Sequence, residues 1–325
     1  MTTPRSNVRR ALISTACALL AAGLAACSSN RSGPSGTSPD GGAPAAPIHV
    51  GGITAITDSS QLTFPIDAYL MTDQQFVEVE SATDVLTAQC MSKFGFDYRP
   101  AVKNTGAGKG TSTNAARRYG VVDAAAVAVL GYHAPNSGAA DARTAEPALD
   151  AAGRRVLTGG AGPGTQSAAP TATAGTYQGM QIPPGGCLTQ ARAELTAHGG
   201  TVNDSPVAQG VNVDSVARSQ QEPQVVAVFK QWSACMQAHG YSYATPYDAI
   251  NDHRWRTPQP SAAEIQVATA DVACKQKANV VGVWYAVDCA LQTSMIDARQ
   301  QQLDGVRDGI AQELKAAARV VGTVG

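Results

Sequence analysis

Apolar residues recur every three or four positions along several stretches of the chain, and the strict alternation of a half-buried strand is scarce. Val79, Ala82, Leu86 and Cys90 follow Thr72-x-x-Gln75, a capping box that opens a helix. Val225, Val228, Trp232 and Cys235 repeat the spacing behind Glu222-Pro223, a pair suited to a helix's first turn. Asp123 is placed to cap a short helix through Leu130 that Gly131 closes. A helix is predicted over residues 186–198, carrying Cys187, Ala191 and Leu195. Ser261 and Glu264 form a further capping box, opening a helix that carries Cys274. From Trp284 through Val287, Leu291 and Met295, then Leu303, Val306, Ile310, Leu314 and Ala317, the seam is nearly heptad, with one slip near Gln302. It predicts a long packing helix over about residues 280–321. The fold expected is mainly α, with long loops and at most a short hairpin.

Two of these helices end alike. Cys90-Met91-Ser92-Lys93-Phe94-Gly95-Phe96-Asp97-Tyr98 and Cys235-Met236-Gln237-Ala238-His239-Gly240-Tyr241-Ser242-Tyr243 both read Cys-Met-x-x-x-Gly-aromatic-x-Tyr, with Pro100 and Pro246 beyond them. Each reads as a helix stopped by a glycine and followed by an extended exit. The cysteine falls on the apolar face, about one turn before the end. A duplicated Cys-Met helix unit follows, with pseudo-repeats over about residues 61–200 and 201–300.

The start of the chain has a different character. Arg5, Arg9 and Arg10 precede an almost wholly apolar run over residues 11–24. That run suits a signal peptide and falls short of the ~20 residues that span a bilayer. It ends in Leu24-Ala25-Ala26-Cys27, which resembles a bacterial lipobox. The resemblance implies a signal peptide over residues 1–26, and diacylglycerol and palmitate-type acyl chains on Cys27. Several buried acyl chains give stable anchoring. Residues 28–47 are Ser, Gly, Pro and Ala with almost no large apolar side chain. They are too poor in apolar surface to fold, and as a coil they would hold a body about 25 Å from the membrane. The domains expected are therefore a lipidated tether over residues 27–60 and a helical domain over residues 61–325.

Charge adds nothing to that anchor. The first 26 residues hold three arginines and no acid, so 24 basic residues against 25 acidic become 21 against 25 after processing. This balance gives no footprint for nucleic acid and no polybasic membrane patch.

Cys17 leaves with the signal peptide, and five cysteines besides Cys27 remain: Cys90, Cys187, Cys235, Cys274 and Cys289. An exported chain favours disulfides, and five cysteines allow fifteen schemes of two bridges. A continuous helix would part Cys274 from Cys289 by about 22 Å, too far for a bridge unless the chain turns at Asn279. The repeat suggests that each Cys-Met helix bridges to the next cysteine, Cys90 to Cys187 and Cys235 to Cys274. Cys289 is then left over as a small buried side chain; a reactive thiol is the alternative.

Catalytic signatures are scarce. Residues 106–111, Gly-Ala-Gly-Lys-Gly-Thr, lack the earlier glycine of a phosphate loop and its Ser/Thr directly after lysine. No metalloprotease or nucleophile-elbow motif occurs. Among His49, His133, His198, His239 and His253, no two lie four apart and none has a cysteine at zinc-finger spacing. No metal, cofactor or catalytic residue is therefore expected. The candidate ligand-binding group is Arg117, Arg118, Tyr132 and His133, where two guanidinium groups, a phenol and an imidazole suit an anionic wall component. The alternative is a structural hydrogen-bonding cluster. Asp252-His253-Arg254-Trp255 reads either as a pocket wall or as a helix end with a packed tryptophan.

Several stretches together are similar to a family of uncharacterised actinobacterial secreted lipoproteins. They are Phe64-Pro65-Ile66-Asp67-Ala68-Tyr69, the two Cys-Met helices, Arg117-Arg118-Tyr119-Gly120, Gly131-Tyr132-His133, Val156-Leu157-Thr158-Gly159, Pro183-Pro184-Gly185-Gly186-Cys187, Trp232-Ser233-Ala234 and Val272-Ala273-Cys274-Lys275. The resemblance covers roughly residues 62–300 and departs at Cys289. It implies the same two disulfides and a secreted setting, and it brings no activity. The expectation is a protein anchored by lipid on the extracytoplasmic face of the cell membrane. It would bind or scaffold a cell-wall or envelope protein partner without catalysis; the alternative is an envelope hydrolase whose active site leaves no motif.

Overall fold

The computed structural model describes residues 48–100, 114–134, 149–160, 175–197 and 205–322. The signal peptide, Cys27, the tether up to residue 47 and the loop at residues 106–111 lie outside the described residues. Among the described residues ten α-helices follow one another: α1 Asp73–Lys93, α2 Ala124–Leu130, α3 Ala151–Thr158, α4 Gly186–Thr196, α5 Pro206–Ser219, α6 Pro223–Ala238, α7 Pro246–Ile250, α8 Ala262–Lys277, α9 Val280–Asp297 and α10 Gln300–Gly322. The described strands are β1 Thr176–Tyr177 and β2 Met180–Gln181, an antiparallel hairpin. Positive φ at Gln178 and Gly179 supplies its tight turn. The fold is mainly α, as the periodicity predicts.

Local chemistry explains the boundaries. Thr72 caps α1 through its hydroxyl, and the Gln75 side chain returns the bond to Thr72. Asp123 accepts from the Ala125 and Ala126 amides at the start of α2. The two Cys-Met helices end in the same geometry. Gly95 and Gly240 adopt φ of 81° and 86°, and the Phe96 and Tyr241 amides reach back to the Met91 and Met236 carbonyls at 3.1 and 3.0 Å. The sixth-to-first bond of a Schellman end needs a left-handed residue, which is why glycine stands at both places.

Three apolar clusters hold the helices. The largest gathers Trp232, Met236, Val267, Val287 and Trp284 from α6, α8 and α9 with Phe64, Ile66 and Tyr119. A second joins Val79, Ala82 and Leu86 of α1 to Ala191 and Leu195 of α4 and Ala317 of α10. The third surrounds the Cys90–Cys187 disulfide with Met91, Phe94, Val156 and Ile182. A 3-10 turn at Pro65–Tyr69 links α5, α9 and α10, and the Gln292 side chain accepts from the Ile66 amide at 3.2 Å.

Two expectations need correction. The long helix expected over about residues 280–321 is two helices, α9 and α10, parted at Ala298 and Arg299. The seam slips because its halves serve different partners, α9 facing α5 and α6 while α10 faces α1 and α4. The tether expected over residues 27–60 is too long. Ile56 is buried, Ile48 and Val50 lie against the main core, and Asp58 and Gln61 form a capping box around Ser59–Gln61. Three aliphatic side chains suffice to bind this strip to the domain.

The chain turns at Asn279, in the left-handed region at φ 49°, and α9 leaves α8 to pack chiefly on α5 and α6. Cys274 nevertheless bonds to Cys235, with Cα atoms 5.7 Å apart; Cys90 bonds to Cys187 at 5.6 Å. Cys289 is free and half-buried. No helix among the described residues is long and apolar enough to cross a membrane.

Candidate functional site

The four residues singled out for ligand binding come from the strip around α2, and α8 and α9 meet them with complementary groups. Arg118 turns inward. Its Nε and Nη2 donate to the two Asp288 oxygens at 2.7 and 3.2 Å, and its remaining bonds go to Asn212 and Ser215. Tyr119 donates its hydroxyl to the same carboxylate at 2.8 Å, and the Phe64 ring lies 4.7 Å from the guanidinium carbon. The Arg118 and Asp288 side chains are 6% and 0% exposed. Burial works against the Arg118 charge, but the bonds to Asp288 outweigh it and raise its pKa. Such a fork is the geometry in which guanidinium binds carboxylate best.

A second buried pair lies in the C-terminal half of α8. Lys275 donates to Asp271 at 2.9 Å and to the Val121 carbonyl at 2.9 Å. Asp271 also accepts from the Trp232 indole at 2.9 Å and the Tyr132 hydroxyl at 3.3 Å. Burial pushes the Asp271 carboxyl up and the Lys275 amine down, each against the attraction of the other. Burial is also what drives the Tyr132 phenol well up, with Asp271 adding to it. Lys275 approaches the backbone at Gly120, where a Cβ would stand 2.9 Å from its amine; φ there is 77°.

Glu264 completes the group. Ser261 caps α8 through the Glu264 amide, but the Glu264 side chain does not return the bond that the capping box predicts. It turns inward, accepts from the Tyr132 amide at 2.7 Å and meets His133 Nδ1 at 2.8 Å. Gly131 makes room for it, since a Cβ there would lie 2.8 Å from Oε1. Glu264 Oε2 finds no partner among the described residues. His133 Nε2 lies 2.7 Å from the Thr257 carbonyl. A ring with acceptors at both nitrogens satisfies both only as the imidazolium. The Thr257 carbonyl is the main cause of a raised His133 pKa; burial opposes it and Glu264 adds to it. Arg117 donates to the Tyr132 carbonyl.

Beside this network opens a cleft of about 340 Å3, lined among others by Tyr132, His133, Asn251, Asp252, Trp255 and Arg256. Tyr132 and Trp255 stack at 6.0 Å with 28° between their planes, and the Arg254 guanidinium covers the other aromatic partner at 4.7 Å. Asp252 is held by Arg254 at 2.7 Å, and the Arg254 bond pulls its carboxyl well below the ordinary range. The Arg256 side chain, exposed at the rim, makes no hydrogen bond or ion pair among the described residues.

Two of the four predicted ligand residues, Tyr132 and His133, thus line a cleft. Arg117 and Arg118 serve the interior instead. The Asp252–Trp255 stretch supplies a pocket wall and a packed tryptophan at once. Sequence reasoning missed Arg256, which has no local signature. It also missed His239, whose ring lies beside the Cys235–Cys274 bridge; the signal was its place four residues after Cys235. Cys289 gives no reactive thiol, because burial pushes it up to about 12 and keeps it protonated at neutral pH.

No family model, curated protein or solved structure matches the chain.

Proposed function

We propose that the chain is a lipid-anchored, extracytoplasmic binding protein of the cell envelope, whose cleft beside His133 takes an anionic or polar group of a wall component. Both ring nitrogens of His133 are already held, by Glu264 and Thr257, and this observation carries the reading. A general base needs a free nitrogen within reach of its proton. A binding wall needs the opposite, side chains fixed before the ligand arrives. Arg256 then supplies the uncommitted charge and the Tyr132–Trp255 pair an apolar floor. The two disulfides support an oxidising compartment, in keeping with the lipobox at Cys27.

The test has two parts. Mass spectrometry of the N-terminal peptide should find acyl chains on Cys27, and Cys27→Ala should release the protein from membranes; an unmodified Cys27 overturns the anchor. Residues 48–325, secreted as a soluble protein, should co-sediment with purified cell-wall sacculi, and Arg256→Ala should weaken this several-fold. Soluble fragments released from the sacculi by the wild-type protein would replace binding with hydrolysis.

A further inference from the structure

The Cys235–Cys274 bridge differs from the other disulfide in its surroundings. Cys90 and Cys187 are 7% and 0% exposed and close inside an apolar cluster. Cys235 is half-buried, and the exposed His239 stands beside it. Cys235 and His239 lie four apart at the end of α6, so they share one helix face. Cys274 reaches the same point from the last turn of α8, where the Ala278 amide closes the helix on the Cys274 carbonyl. Ligand atoms of Cys235, His239 and Cys274 all lie within 4.8 Å of one another. No other group of three or more His, Cys, Asp or Glu side chains among the described residues is arranged this way. Two helices end at this point, and helix C-termini favour a cation.

We propose that Cys235, Cys274 and His239 form a three-ligand site for a thiophilic divalent cation such as zinc, which the disulfide closes and reduction opens. A dithiol donor transfers two electrons and two protons to the bridge, becoming a disulfide itself and leaving two thiols on the protein. The cation then displaces the two thiol protons to solvent and binds two thiolates and the neutral imidazole. Metal–sulfur bonds of about 2.3 Å place tetrahedral thiolates about 3.8 Å apart, against about 2.05 Å in a disulfide. With the Cα atoms already 5.7 Å apart, side-chain rotation covers that difference. Two thiolates select a soft or borderline ion over magnesium or calcium. The imidazole comes from the exposed side, so the fourth position faces water. The proposal is independent of the cleft at His133.

The detergent-solubilised full chain, reduced with a phosphine under nitrogen, tests this with cobalt(II) as the probe. The expected result is sulfur-to-cobalt charge-transfer absorption in the near ultraviolet that saturates at one ion per chain and is displaced by zinc. His239→Ala, at an exposed position that leaves the fold intact, should weaken binding roughly tenfold or more. Zinc should shield Cys235 and Cys274 from alkylation, read by peptide mass, and leave Cys90 and Cys187 unprotected. Equal binding by His239→Ala overturns the proposal, since thiols of an unfolded chain would bind without regard to that residue. So does cobalt bound without charge-transfer bands, or protection that maps to Cys90 and Cys187.

Discussion

His133 Nδ1 lies 2.8 Å from Glu264 Oε1, which joins the exit of α2 to the first turn of α8 through a single imidazole. Its other nitrogen holds the Thr257 carbonyl, so the ring ties three segments while it is protonated. Its folded pKa is raised above the unfolded value of about 6.5. The stabilisation is therefore complete below about pH 6.5 and is lost as pH rises through the raised value. Arg117 faces the same ring and tempers the shift. Denaturant midpoints should fall as pH rises from about 6.5 through the raised value. His133→Ala should flatten that part of the profile and lower stability mainly at the acid end.

Glu313 has the opposite chemistry and the same sign. It is buried on α10, its Oε2 has no partner among the described residues, and burial pushes its carboxyl up to about 7. The folded state thus holds a proton that the unfolded state releases near pH 4.3. Through Glu313 the native state loses stability as pH rises from there through about 7, and this contribution is level above. Glu313→Gln should raise the urea midpoint at pH 8 and leave it nearly unchanged at pH 4. A variant weaker than wild type at pH 8 would mean that the carboxylate has a partner.

Arg118 and Asp288 form a pair whose halves depend on each other. Arg118→Met leaves a buried carboxylate uncompensated and should cost about 3–5 kcal/mol. Asp288→Asn strands the guanidinium but keeps an acceptor for Tyr119, so it should cost less. The double variant removes both charges, and urea titration should find it clearly more stable than the sum of the single losses.

Gly282 and Gly210 are both helical glycines with contrasting surroundings. A Cβ at Gly282 would lie 2.1 Å from the Thr54 carbonyl, whereas Gly210 has nothing within 4 Å. Gly282→Ala should cost about 1–3 kcal/mol by forcing the strip near Thr54 off α9. Gly210→Ala should raise stability by about 0.5–1 kcal/mol through helix propensity and a stiffer unfolded chain. Thermal melts of the two variants check both signs, and limited proteolysis before Ile56 reports the loosened strip.

The helices were legible because their caps are local. Thr72, Asp123 and Ser261 act on amides two or three residues away, and Gly95 and Gly240 stop their helices by backbone conformation alone. The disulfide pairing was legible through the repeat, which put equivalent cysteines on equivalent faces. What stayed hidden depended on distant partners. Glu264 matched a capping box but found the Tyr132 amide, more than a hundred residues away, behind a glycine that let it in. Arg117 and Arg118 are adjacent cations in the sequence, and nothing near them announces Asp288. The break at Ala298 was blurred because both halves of the seam are apolar and only their partners differ.

The place of α10 bears on how the molecule comes to be folded. Val79, Ala82 and Leu86 are covered partly by Ala317, with Leu314 and Val320 beside it, so the first long helix to emerge is finished by the last. A chain appearing from its N-terminus can cover that apolar stripe only in part, with Ala191 and Leu195 of α4, until more than two hundred residues have followed α1. The Cys90–Cys187 bridge is able to close earlier, since both cysteines precede α5. Late closure of this kind slows folding and gives holding chaperones a target until α10 docks.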